Sequence, residues 1–110
     1  MHIHKMKLNA KPFEKIKQGT KTIELRLFDE KRQRVMVDDQ IIFEHRDTKE
    51  ELVTMVKAIH RFSSFEELYR QFDKIKMGYD ANEVASHDDM QKFYTKEQQQ
   101  KYGVVGIEIR

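Results

Sequence analysis

The chain has no cysteine and no tryptophan, and only one proline and four glycines in 110 residues. Without cysteine there is no disulfide, no zinc–thiolate centre and no thiol nucleophile. No repeat, low-complexity tract or Gly/Ser-rich linker divides the chain, so it reads as one domain over residues 1–110. No apolar run approaches the ~20 residues of a membrane span, and no signal-peptide apolar segment opens the chain. P-loop, dinucleotide-fold and EF-hand signatures are missing too. These absences predict a soluble, cytoplasmic protein with no membrane partner, no cofactor and no metal.

Charged residues make up 36% of the chain and apolar residues 38%. That is enough patterned apolar content for one core and too much for a disordered segment. The net charge is only +2, but it is unevenly spread. Residues 1–34 hold ten Lys/Arg against four Asp/Glu, whereas the remainder is acidic. Such asymmetry points weakly to an anionic ligand held by the N-terminal part.

Periodicity divides the chain into short elements. His2 to Leu8 alternates, with Met6 and Leu8 on one side and Lys5 and Lys7 on the other, and reads as a strand. Asn9 then opens a helix with Pro12 in its first turn and Phe13 and Ile16 on one face, stopped by Gly19. A second strand runs from Lys21 to Phe28, with Ile23, Leu25 and Leu27 facing one way and Thr22, Glu24 and Arg26 the other. After a polar connection over residues 29–34, strands follow at Gln40 to Arg46 and Leu52 to Phe62, joined by a turn. Ser64 with Glu67, Ser86 with Asp89 and Thr95 with Gln98 mark three helix starts. The last helix ends at Gly103, and Val104 to Arg110 closes the chain as a strand with Val105, Ile107 and Ile109 on one face. About five strands and three or four short helices predict an α+β fold built on a small mixed β-barrel.

One segment carries chemistry: Gly19-Thr20-Lys21-Thr22-Ile23-Glu24-Leu25-Arg26. Glu24 and Arg26 are two apart and share a strand face, with Lys21 at the strand's start. Arg can grip a phosphate or a base edge at two points, Glu can accept from a base amino group, and Lys adds a mobile positive charge. The competing reading is a solvated strand face with salt-bridged neighbours.

The same residues, Gly19, Lys21, Glu24 and Arg26, resemble the G-x-K-x-x-E-x-R signature of the ASCH domain family (activating signal cointegrator homology), a branch of the PUA-like barrels. Leu8 to Ile16 is similar to the family's first strand and helix. Val37-Asp38-Asp39-Gln40-Ile41-Ile42-Phe43 resembles its V-G-D-x-I-x-F strand, with Asp38 in place of the glycine. Tyr102-Gly103-Val104-Val105-Gly106-Ile107 resembles its closing strand. The resemblance spans nearly the whole chain and keeps the order of all four blocks. It implies a cleft lined by Lys21, Thr22, Glu24, Arg26 and Tyr102 that takes RNA or a nucleotide-like ligand. Base stacking would fall to Phe28, Tyr79, Tyr94 or Tyr102. It also implies an alternative. Some small family members hydrolyse the amide of N4-acetylcytidine with a Lys, a Thr and a Glu. That Lys falls on Lys21, but the Thr position is held by Glu24, with Thr22 the nearest hydroxyl on that face. A ribonuclease using Lys21 is a further enzymatic reading, and an apolar protein-interaction patch a third class.

Other candidates are weaker. His2 and His4 have strand spacing suited to a metal, though an N-terminus is more often simply frayed. His60 and Arg61 stand at the end of the fourth strand. Asp88 and Asp89 fit a helix start electrostatically. The connection from Lys74 to Ala85 is the longest, and it reads equally as a cover over a cleft or as loosely packed chain.

Overall fold

The computed structural model describes residues 1–110 and has five strands: β1 (Ile3–Leu8), β2 (Ile23–Leu27), β3 (Gln40–His45), β4 (Glu51–Phe62) and β5 (Val104–Ile109). Four α-helices connect them: α1 (Ala10–Gln18), α2 (Phe65–Gln71), α3 (Lys74–Met77) and α4 (Lys96–Tyr102), with 3-10 segments at Arg32–Arg34 and His87–Lys92. The strands form one mixed sheet in the order β1-β3-β4-β5-β2. β1 runs parallel to β3, and every other pairing is antiparallel.

The twelve-residue β4 makes the sheet curl. Its first half pairs with β3 (Phe43 opposite Leu52) and its second half with β5 (Ile59 opposite Ile107), with a register shift between Val56 and Ala58. A bulge there bends the strand and increases its twist, so the sheet wraps into a half-barrel. The edge strands β1 and β2 are left unpaired with each other. A side chain spans that gap: Arg26 on β2 donates from Nη2 to the Lys7 carbonyl of β1 at 3.0 Å.

Apolar residues separate into two clusters. Met6, Leu8, Phe13, Ile16, Ile41, Phe43, Val105, Ile107 and Ile109 pack together inside the half-barrel under α1. Ile23, Leu25, Leu27, Phe65, Leu68, Met77 and Val104 form the second cluster under α2 and α3. These are the faces that the period-two and helical patterns select. β5 is buried on both faces, and Gly106 admits α2: a Cβ there would meet Ile23 at 3.2 Å and Leu68 at 3.5 Å.

Turns and caps match the sequence in most places. Gly19 closes α1 in the left-handed conformation, φ 86°. Ser64 and Thr95 accept from the backbone N–H of Glu67 and Gln98. Asp38 adopts the left-handed backbone (φ 75°) that glycine takes most cheaply, as an Asp can.

Three local expectations change. The residues after Phe72 do not begin a bare loop: Asp73 caps Ile75 N–H and Lys74–Met77 forms α3, too short to show a helical period. The helix signalled by Ser86 is a 3-10 segment. The N-terminus is tied down rather than frayed, because Asp39 accepts from His2 N at 3.0 Å, Met36 N at 3.0 Å and His4 Nε2 at 2.8 Å.

Those donors hold the Asp39 carboxyl far below the usual carboxylate range, the backbone N–H of His2 foremost and the His4 ring next. A carboxyl depressed in the folded state contributes stability above its unfolded value of about 3.9, and that contribution fades as pH falls further. Asp39→Asn is therefore less stable at neutral pH. Its deficit should shrink as urea-unfolding curves are taken from about pH 4 toward pH 2. Parallel pH profiles for the two proteins would contradict this.

Candidate functional site

β2 explains why the charged segment is not a solvated face. Glu24 lies opposite Ile107 and Arg26 opposite Val105. Directly paired residues put their side chains on the same side of a sheet. The acid and the guanidinium therefore share the face of two core residues and enter the end of the half-barrel. Glu24 is 4% exposed and the Arg26 side chain 12%. Lys21, just before the strand, is 5% exposed.

The three form a linear arrangement with Glu24 in the middle. Its Oε2 accepts from Arg26 Nε at 2.8 Å, and its Oε1 lies 3.3 Å from Lys21 Nζ. Lys21 Nζ also donates to the Ile23 carbonyl at 2.7 Å and the Met77 carbonyl at 2.9 Å, so three acceptors surround its three protons. The contact to Met77 ties the end of α3 to the site. Gly78 lets the chain pass there, since a Cβ would sit 3.0 Å from Lys21 Cδ, and its φ of 107° is itself unfavourable for other residues.

Burial and charge pull these groups in opposite directions. Burial pushes the Lys21 amine down, with Glu24 opposing. Burial would raise the Glu24 carboxyl, but Arg26 and then Lys21 outweigh it and hold it below its ordinary value. Burial also works against Arg26, whose pKa is nonetheless raised by Glu24 and by the neighbouring Tyr94.

The triad forms part of the floor of an open cleft of about 620 Å³, which Lys21, Glu24, Leu25 and Arg26 line from below. Aromatic residues Tyr69, Tyr79, Phe93 and Tyr94 line it as well, as do the cations Lys7, Lys11, Arg46 and Lys92. The Tyr79 hydroxyl donates to Asp89 Oδ2 at 2.7 Å and lies 2.9 Å from the Tyr69 hydroxyl. Burial pushes both phenols up, so both are neutral donors near pH 7. The segment after α3 borders the cleft through Gly78, Tyr79, Glu83 and Val84. It is strapped to α1 by ion pairs of Lys15 with Asp80 and of Lys11 with Glu83.

Of the residues singled out from the sequence, the structure gathers Lys21, Glu24, Arg26, Tyr79 and Tyr94 at this cleft. It leaves Thr22 outside: the Thr22 carbonyl accepts from Ile109 N–H, and no serine or threonine lines the cleft. Phe28 and Tyr102 border a separate hollow of about 480 Å³, where Arg61 lies 4.2 Å from the Phe28 ring centroid. His60 turns to Glu108 at 3.3 Å, and no group of three His, Cys, Asp or Glu residues is placed to hold a metal. Sequence reasoning missed Phe93, Tyr69 and the rim cations. The run Lys92-Phe93-Tyr94, a base followed by two aromatics, was the available signal.

The ASCH domain model matches residues 6–110. The chain belongs to the ASCH domain family. Two solved structures are similar over almost their whole length. The crystal structure of hypothetical protein PH0355 is 36% identical with a TM-score of 0.83, the match covering 98% of this chain and 97% of that one. The solution structure of protein PF0455 from Pyrococcus furiosus is also 36% identical, with a TM-score of 0.70 and coverage of 98% and 96%. No curated protein matches the chain. The half-barrel is consistent with the PUA-like architecture to which ASCH domains belong, and no helix is long and apolar enough to cross a membrane.

Removing the charge between two buried cations should be costly, because a buried ion without its partner destabilises by roughly 3–5 kcal/mol. Glu24→Gln is expected to lose about 3 kcal/mol in urea unfolding. Glu66→Gln breaks only the exposed pair with Arg70 and should be nearly neutral. Equal effects of the two substitutions would show that the triad is not a structural keystone.

Proposed function

We propose that this ASCH domain is an RNA- or nucleotide-binding module whose ligand enters the cleft above Lys21, Glu24 and Arg26. The reading rests above all on uncompensated positive charge. Lys7, Arg46 and Lys92 line the cleft, are exposed and form no ion pair, while of the acidic lining groups Glu24 is paired with Arg26 and Glu83 with Lys11, and only Asp89, held by the neutral Tyr79 hydroxyl, offsets them, so the lining is net positive. Such a cleft attracts an anion carrying several charges. Arg26 uses Nε on Glu24 and Nη2 on Lys7 and lies beside the Tyr94 phenol, and the edge of its guanidinium toward the cleft is the floor group offered to a phosphate or base edge. Glu24 orients Arg26. Lys21 supplies positive charge to the floor while its protons hold the backbone. Tyr79 and Tyr94 offer aromatic walls.

The alternative is a hydrolase acting on an acylated nucleoside or on RNA. The Lys21 amine, whose pKa burial lowers, favours it, since such a group exchanges a proton more readily than an ordinary lysine. Against it, an acyl-enzyme route needs an activated hydroxyl, and the cleft offers only phenols. Turnover of N4-acetylcytidine or single-stranded RNA that is lost in Lys21→Ala would establish the alternative.

Binding of single-stranded RNA should weaken with salt. Three free cations predict a slope of log affinity against log salt of about −2. Replacing Lys7, Arg46 and Lys92 together by glutamate should abolish binding without unfolding the protein, and Arg26→Ala should weaken it at every salt concentration. A slope near zero, or binding unchanged by these substitutions, would overturn the proposal.

A further inference from the structure

Phe93 is 59% exposed and stands on the cleft wall. A single exposed apolar residue is ordinary. Phe93 is distinguished by its surroundings. It is the outer end of an aromatic run: buried Phe65 stacks on Tyr94 (centroids 5.9 Å apart, planes 18° from parallel), and Tyr94 abuts Phe93 at 6.4 Å. The ring is therefore braced from behind and open in front. Lys92 precedes it in the chain, and Lys7 and Arg46 line the same cleft, all three cations unpaired. The floor is built differently: Arg26 sits deep, its charge shared with Glu24, beside the Tyr94 phenol.

Building on the binding reading above, we infer that the ligand is a single-stranded oligonucleotide: one base lies in the cleft over Arg26, and an adjoining base stacks on Phe93 with the linking phosphates on Lys7, Arg46 and Lys92. A free nucleotide could satisfy the floor but would leave the outer ring and most of the rim cations without a partner. A duplex keeps its bases stacked on each other and cannot offer a face to Phe93. Stacking on an exposed ring does not depend on which base it is, so this outer position adds affinity with little sequence preference. The aromatic–cation pairing is the combination that single-strand binders use.

The absence of tryptophan makes this directly readable. Phe93→Trp introduces the chain's sole indole, and its emission should be quenched by the trinucleotides ApApA and UpUpU but not by AMP or UMP. In calorimetric titrations at low salt, the trinucleotides should bind at least about tenfold more tightly than the mononucleotides. Phe93→Ala should cut that margin by about fivefold or more while affecting mononucleotide affinity far less, and Phe93→Tyr should retain it. Because the side chain is exposed, the far-UV spectrum of each variant should match the parent. Equal affinity for mononucleotide and trinucleotide, a margin undiminished by Phe93→Ala, or a short RNA duplex binding as tightly as the single strand would overturn the inference while leaving the cleft reading intact. No binding by any of these ligands would overturn both.

Discussion

Glu24 lies between Lys21 and Arg26 inside the end of a curled sheet, and the placement of much else follows from that carboxylate. Removing three charges from water costs several kcal/mol for each ion, and Coulombic attraction recovers it only where every proton and lone pair is engaged. Here Lys21 reaches Ile23 and Met77, and Arg26 reaches Lys7. The triad thereby joins β1 to β2 across the unpaired edge of the sheet and fastens α3 to both. An apolar triplet of similar volume could pack as well, but it could not hold two strand edges in register through their carbonyls. The buried charge stabilises a particular closure of the half-barrel rather than adding to overall stability.

The same interaction shapes the cleft. A guanidinium whose Nε is fixed by a carboxylate, and whose Nη2 is fixed by a carbonyl, has little rotational freedom left. On the proposed reading, the edge of the guanidinium toward the cleft would then bind with little further loss of side-chain entropy. Lys21 contributes differently. Its protons are committed to the backbone, so it sets the potential of the floor and the position of Gly78 and Tyr79 rather than touching a ligand through a free donor. The net charge of the triad is positive, as is the unpaired charge at the rim, and the two act together on an approaching anion.

Much of this was legible in the sequence. The alternation in β1, β2 and β5 placed the core correctly, and the caps at Ser64, Thr95 and Gly19 marked helix ends. The spacing of Glu24 and Arg26 predicted one face of one strand, with Lys21 at its start. Burial of that face was not legible, because period two cannot say whether the polar side of a strand meets water or the inside of a barrel. The pairing of Glu24 with Ile107 decides that, and it is a long-range fact. For the same reason Thr22 shares the alternation but stands outside the cleft, and Tyr102 at the closing strand opens onto another hollow. α3 was missed because four residues are too few for a periodic signal, even though Asp73 and Gly78 bracket them as caps.

The floor and the rim of the cleft differ in what fixes them. Floor groups lie on β2 and are locked by backbone hydrogen bonds, buried ion pairs and the packing of β5. Rim groups come from the ends of β1 and β3 and from the 3-10 segment at residues 87–92, and they are exposed. The segment after α3 is held beside the cleft by ion pairs from Lys11 and Lys15, by Lys74 Nζ donating to the Ala81 and Glu83 carbonyls, and by the Tyr79 hydroxyl donating to Asp89. Under the proposed reading, a fixed floor beneath an exposed rim suits a ligand recognised at one point and followed outward along a chain, because the deep contact would set the register while the long rim side chains adjust.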